Sequence, residues 1–411
     1  MKYYLSIINL LYLLLFIIIS GCGNGNVPSS VQPSEQNNIL EIAPTSQSPT
    51  QMDFSAAKLP KGLLVNTNNS IGLTFVNLQG QAIAEIKTPG ISFSDPTTVH
   101  IAGKITDGKF QAPLVYQAYD PQPALMVNIK DQISVLMKTE NFFLLSGAPG
   151  IPLLAYSQVN QQEKGIESKL YVSKLDTLAS AKAVITQFDD QTYMAITPIM
   201  VDAQGETIQG VWFTKSAWGI GGDIVFAIQR GLYYFDYTAG AVNEYLTSSH
   251  DFQGLSLDRT FAASVEPNPD GKTAVNFLNL KDKSTSNFLL DINSDRGAGD
   301  VFFSPDNHYV AWMEASGTHM SEPPNFHSRI RVIQMGEKPV LVRDLNETTI
   351  SQNFGYPAIN FMKPVGWLDN QTLLIEMHQE SWEKVSLLRL DVASGTVVEL
   401  WKGSFVGFIY E

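Results

Sequence analysis

The sequence predicts an all-β chain whose folded part is a β-propeller of seven four-stranded blades, and three observations lead there. From Lys58 onward the apolar residues fall in short runs rich in Val, Ile, Leu, Phe and Tyr, separated by turn signals. None of these runs keeps a helical period over three turns, so they read as strands. A hairpin recurs seven times at intervals averaging about 52 residues, near the 40–50 residues of a four-stranded propeller unit. The chain also continues past its last outer strand, Thr396 to Trp401, into a further apolar segment, Ser404 to Tyr410.

Composition sets the outer limits. The 411 residues are 44% hydrophobic, which excludes a disordered chain. With 27 Lys and Arg against 40 Asp and Glu, the net charge is −13. A dedicated nucleic-acid binder needs a basic stripe to displace counterions, so no nucleic-acid partner is expected. A single Cys excludes an internal disulfide framework and a Cys-based zinc finger.

In chain order, the N-terminus comes first. Lys2 is followed by an almost wholly apolar run from Leu5 to Ile19 and then by Ser20-Gly21-Cys22. A charged start, an apolar stretch and small residues at a cut site are the pattern of a secretory signal peptide. Ile19-Ser20-Gly21-Cys22 resembles the lipobox of bacterial lipoproteins. That resemblance implies cleavage after residue 21, a diacylglyceryl thioether on Cys22, and acylation (palmitate or a similar chain) of the new amino group. Several acyl chains give stable anchoring, because each buried methylene adds about 0.8 kcal/mol. Gly23 after the Cys resembles the outer-membrane sorting class. An uncleaved anchor helix is the alternative. Residues 22–59 are rich in Asn, Ser, Pro, Gln and Thr and poor in charge, so they are expected to be a flexible polar tether.

The propeller domain, 60–411, follows. The seven copies of the hairpin begin at Leu73, Leu125, Leu170, Leu232, Val275, Ile330 and Leu387. A second element precedes some of them: an apolar strand, a turn of Ser, Pro, Asp and Asn, then another strand. Phe303-Ser304-Pro305-Asp306-Asn307-His308-Tyr309 is the clearest example, with looser versions at Leu255 to Ala263 and Gly366 to Leu374. It resembles the Ser-Pro-Asp-Gly junction of WD40-like repeats in TolB-type β-propellers, with Asn307 in place of the usual Gly. Asn also tolerates positive φ. The first copy has about three strands of its own, so Phe405 to Tyr410 is expected to supply its missing innermost strand and close the ring.

Catalytic signatures are sparse. There is no Gly-x-Ser-x-Gly, His-Glu-x-x-His, P-loop or Gly-x-Gly-x-x-Gly. Three polar clusters fall on one rim of the expected propeller. Asp291, Asn293, Asp295 and Asp300 space oxygen ligands as calcium or another divalent metal prefers, although Arg296 occupies the turn-glycine position of a calcium loop. A polar turn is the alternative. A long loop carries His319, Glu322 and His327. Glu376, His378 and Glu380 share one face of a strand by its period of two, a geometry that can hold a metal or pair acids with bases. A solvated hairpin end is the alternative there. Val211-Trp212-Phe213-Thr214, with Trp218 and three glycines close behind, reads either as core between blades or as an aromatic floor for a sugar or peptide.

The expected function is a non-catalytic binding or scaffold module, tethered in the cell envelope outside the cytoplasmic membrane. Its partner would be an envelope protein, peptide or glycan. The alternatives are a metal-assisted propeller enzyme (lactonase-, lyase- or cyclase-like) and a small-ligand sensor.

Overall fold

A computed structural model describes residues 59–66, 72–88, the strands between 99 and 138, and 142–410 apart from 219–224, 268–270, 292, 318–324, 357 and 380–383. The expected signal peptide, Cys22 and the tether up to residue 58 lie outside the described residues. Among the described residues, no helix is long and apolar enough to cross a membrane.

The architecture is an all-β propeller. Antiparallel strands form five separate four-stranded sheets, one seven-stranded sheet and a small two-stranded hairpin. All seven recurring hairpins are present, and in each four-stranded sheet the recurring segment is the third strand, from Gly72–Asn77 in the first to Val385–Asp391 in the last. The expectation of seven separate four-stranded units is nonetheless corrected to five. The fourth and fifth copies share one sheet, because the strand Ala241–Leu255 runs unbroken for 15 residues. It pairs with Gln229–Asp236 from Ala241 as far as Asp251 and with Phe261–Pro267 from Phe252 to Leu255, where Phe252 faces Ser264. No Gly or Pro stands between Ala241 and Gln253 to interrupt it. The first sheet takes its first strand from the C-terminus: Ser404–Ile409 pairs antiparallel with Gly62–Asn66, Leu63 facing Phe408.

Burial explains why the third strands read so clearly. Val385–Asp391 and Gly72–Asn77 are buried along almost their whole length on both faces. Each sheet packs between two neighbours, so these strands are apolar without alternation. The outermost strands, such as Gln132–Lys138 and Thr285–Leu289, have no fully buried residue. Core side chains meet between sheets: Leu63, Val65 and Val76 of the first sheet pack with Val365, Leu374 and Leu387 of the last. Each such buried side chain contributes about 1.5–3 kcal/mol of transfer free energy.

The Ser-x-Asp turns repeat closely. Ser256 Oγ donates to Asp258 Oδ1 and accepts the Phe261 N–H. Ser304 does the same with Asp306 and the Tyr309 N–H. Both turns need one residue at positive φ, Arg259 at 56° and Asn307 at 58°. Asn307 also donates from Nδ2 to Asp258 Oδ2 at 2.8 Å, joining one turn to the next.

One helix, Glu347–Phe354, escapes periodicity because it is two turns long and buries only Ile350. Its signals are its caps: Asn346 Oδ1 accepts the Thr349 N–H, and Gly355 sits at φ 68°.

Candidate functional site

The site is built on the first strands of the last two sheets, Gly297–Phe303 and Ile359–Trp367. First strands of a propeller's sheets line its axis. Within Gly297–Phe303 the pairing with Tyr309–Gly317 skips between Gly299 and Phe302, a bulge that contains Asp300. Asp300 adopts φ 54° there. A bulge re-aims the side chain it carries, and a non-glycine residue in this region stores about 1–3 kcal/mol of strain. Gly299 is held to glycine by its surroundings: a Cβ would stand 2.4 Å from Cδ1 of Phe226 and 2.7 Å from Oε1 of Gln253.

Lys363 lies opposite Glu376 in the ladder between Ile359–Trp367 and Thr372–Gln379. Glu376 is 7% exposed, and both of its oxygens are engaged. Oε1 lies 3.1 Å from His378 Nε2 and 3.9 Å from Lys363 Nζ. Oε2 accepts the backbone N–H of Phe405 at 2.7 Å. Burial alone would raise the Glu376 pKa. The hydrogen bond to His378, the Lys363 ammonium and the Phe405 N–H outweigh it and hold this carboxylate below its ordinary range. Asp300 behaves oppositely. Burial pushes it up, Lys363 offsets this in part, and the Glu376 charge pushes it further up. No hydrogen bond to its carboxylate contributes to that balance. Glu376 thus has three protein partners, whereas Asp300 is half-buried and feels Lys363 and Glu376 through their charges.

The other residues singled out by sequence are placed as follows. Asp291 faces arginines: its Oδ2 lies 3.1 Å from Arg329 Nη1 and 3.3 Å from Arg331 Nη2. The Asn293 N–H first, and then those ion pairs, keep it ionised to lower pH than usual. Asn293 is an exposed turn residue. Asp295 Oδ1 accepts the Gly317 N–H at 2.9 Å. The structure therefore does not draw Asp291, Asn293, Asp295 and Asp300 around one point. Among the described residues, no group of three or more His, Cys, Asp or Glu is placed to hold a metal ion.

His327 Nδ1 lies 3.1 Å from Glu347 Oε2. His327 and Ser328 lie not in a loop but in the strand Phe326–Gln334; the other oxygen of Glu347 accepts the Ser328 N–H, and Ser328 Oγ accepts the Met362 N–H, linking this strand to the one that carries Lys363. His319, Glu322 and Glu380 lie outside the described residues. Trp212 belongs to the core, 1% exposed, with its indole N–H donated to Asp202 Oδ2 at 2.7 Å. Phe213 and Thr214 are buried with it. Residues 219–224, which hold the glycines of that run, lie outside the described residues.

Sequence reasoning found Glu376 and His378 through the period of a strand. It missed Lys363, which needs the strand register, and it placed Asp300 in a loop. It also missed Glu314, which is 1% exposed and bonds Trp312 Nε1, Ser294 Oγ and Arg331.

No protein-family model matches the sequence, and no curated protein matches it. Solved structures do match. A structure from a study of two prolyl endopeptidases is 11% identical, with a TM-score of 0.52 over 85% of this chain and 50% of that one. TolB from Acinetobacter baumannii is 14% identical, with a TM-score of 0.39 over 70% of this chain and 63% of that one. The β-propeller domain of the Trilobed protease from Pyrococcus furiosus is 10% identical, with a TM-score of 0.37 over 63% of this chain and 71% of that one. The chain thus spans half of the prolyl endopeptidase and less than two thirds of that TolB. At these identities the likeness establishes fold alone: this chain is an all-β propeller.

Proposed function

We propose that this chain is an exported lipoprotein, anchored outside the cytoplasmic membrane through Cys22. On this reading it carries a β-propeller that binds an envelope protein, peptide or glycan without catalysis. The pairing of Ser404–Ile409 with Gly62–Asn66 supports a ring closed by the C-terminal strand. The observation that carries the binding reading is the axial cluster. Glu376 is saturated by His378, Lys363 and a backbone N–H, whereas Asp300 on the neighbouring first strand keeps its acceptor capacity for a ligand. The lipobox supports the anchor, and the polar segment after it supports a domain held away from the membrane.

Metabolic labelling with an alkyne fatty acid, followed by membrane fractionation, tests the anchor. The wild-type chain should be labelled and sediment with membranes, and Cys22→Ser should lose both properties. An unlabelled wild-type chain would overturn it. A second reading, a propeller enzyme, draws on the 3.1 Å His378–Glu376 contact beside a second acid, the kind of pair that moves protons. It requires turnover of a lactone or uronide that His378→Ala abolishes.

A further inference from the structure

We infer that the outer strand Thr285–Leu289 is a peptide-docking edge: an extended segment of a partner protein pairs with it as an added strand, places a large apolar side chain in the cavity beside it, and sets a lysine or arginine against Glu337. This surface is separate from the axial cluster and does not rest on the reading of that cluster. A comparison among sheet edges supports it first. The outer strands Ala82–Lys87, Gln132–Lys138, Ala183–Asp189, Val340–Asn346 and Val397–Lys402 each carry a charged side chain. Each also pairs with its inner neighbour through a register shift. Charges and bulges are how proteins keep an open edge from recruiting another chain. Thr285–Leu289, with the sequence Thr-Ser-Asn-Phe-Leu, has no charge and no Pro. It pairs with Thr273–Asn279 in unbroken register, and no described strand pairs with its other side. Its outward N–H and C=O groups are therefore a template for one more strand.

A cavity of about 400 Å³ lies against this edge. Thr285 and Ser286 of the strand line it, together with Met335 and Glu337, which follow the strand Phe326–Gln334 of the next sheet. Phe261, Phe277 and Met335 supply its apolar surface. A volume of this size suits the side chains of a bound segment. The strand's own Phe288 is not among the walls, because its ring packs on Trp312 with centroids 5.4 Å apart. A strand added beside Thr285–Leu289 alternates its side chains between two faces, so every second one reaches the side on which Ser286 and the cavity lie. Glu337 is exposed and makes no ion pair among the described residues, and the whole chain carries a net charge of −13. Both favour a basic residue in the incoming segment.

The test uses the full-length chain in detergent micelles and fluorescein-labelled heptapeptides with threonine at alternate positions, read by fluorescence polarisation. The central residue is Leu, Met, Phe, Ala or Asp, and the last but one is Lys, Thr or Glu. Saturable binding should be strongest with Leu, Met or Phe at the centre and Lys after it, and weakest with Asp and Glu. Methylating one alternate set of peptide amides should abolish binding, and methylating the other set should spare it. Asn287→Lys, which gives this edge the charge that the other edges carry, should abolish it too. Glu337→Lys should weaken the Lys peptide about fivefold and raise the Glu peptide above it, a reversal that misfolding cannot produce. Asp300→Asn should bind like wild type. No saturable peptide in the set, the same result from both methylation patterns, or an unchanged preference for Lys over Glu in Glu337→Lys would overturn the assignment. So would loss of binding in Asp300→Asn, which would move the peptide to the axis. A dimer of the full-length chain that Asn287→Lys dissolves, seen by analytical ultracentrifugation, would put a second copy on this edge and overturn the peptide as its occupant.

Discussion

Glu376 Oε2 accepts the backbone N–H of Phe405 at 2.7 Å, and through this bond a buried carboxylate of the last sheet grips the strand that the C-terminus gives to the first. The other oxygen holds His378 and Lys363, so one side chain serves both the fold and the axial cluster. Removing it leaves the Phe405 N–H and the half-buried Lys363 ammonium without their acceptor. Glu376→Ala should cost about 3 kcal/mol in urea unfolding, and Glu376→Gln, which keeps one acceptor, clearly less. Because the folded carboxylate titrates below its ordinary value, its contribution is present above the unfolded pKa and is lost as pH falls through the lowered one. The variants should therefore approach wild type in acid. Equal losses for Ala and Gln at neutral pH would contradict the role of the charge-assisted bonds.

Asp300 carries the opposite sign. Its folded pKa is raised, chiefly by burial, so it disfavours the native state once pH climbs from the unfolded value near 3.8 through the folded one. Asp300→Asn should therefore melt higher than wild type at pH 7 and lose that advantage near pH 3, as measured by thermal melts at the two values. Such a gain fits a binding residue kept at the expense of stability. A variant less stable than wild type at pH 7 would count against an uncompensated carboxylate.

A second buried ion pair is purely structural. Asp202, 3% exposed, binds Arg259 and accepts the Trp212 indole N–H at 2.7 Å. Burial still pushes its pKa up, with Arg259 opposing. Arg259→Asn suits the φ of 56° and isolates the loss of charge. It should destabilise by about 3–5 kcal/mol because Asp202 is left buried and unpaired. Adding Asp202→Asn should recover part of that loss, since the stranded charge is gone. Additive losses in the double variant would refute the coupling.

The C-terminal strand gives a sharper outcome. Phe405 and Phe408 pack with Leu63, Val65 and Leu368. Gly366, at φ 138°, leaves no room for a Cβ, which would stand 2.4 Å from Cε2 of Phe408. A chain ending at Gly403 should lose cooperative unfolding, and Gly366→Ala should lower the melting temperature without abolishing the transition. A truncated chain that melts like wild type would mean the strand is dispensable.

What the sequence revealed tracks how each residue is buried. Leu387-Leu388-Arg389-Leu390 and its counterparts were legible because strands sandwiched between sheets are apolar on both faces. The run from Gln132 to Lys138 was not, being largely exposed. The merging of two repeats into one sheet depended on the absence of a breaker between Ala241 and Gln253, a negative signal. His378 and Glu376 are two residues apart and so share a strand face, which is visible in one dimension. Lys363, 13 residues before Glu376, joins them only through the register of two strands. Asp291 looked like a ligand because its partners Arg329 and Arg331 stand 38 and 40 residues away. Asp300 looked like a loop residue because a bulge leaves no compositional mark.

The central claim is that the axial cluster of an anchored propeller holds a partner. The most direct test is in-cell crosslinking of the full-length chain in its own host, with captured proteins quantified by mass spectrometry for wild type, Asp300→Asn and His378→Ala at equal membrane levels. The account predicts a defined partner enriched with wild type and depleted with both variants. The same captured set from all three chains would contradict it.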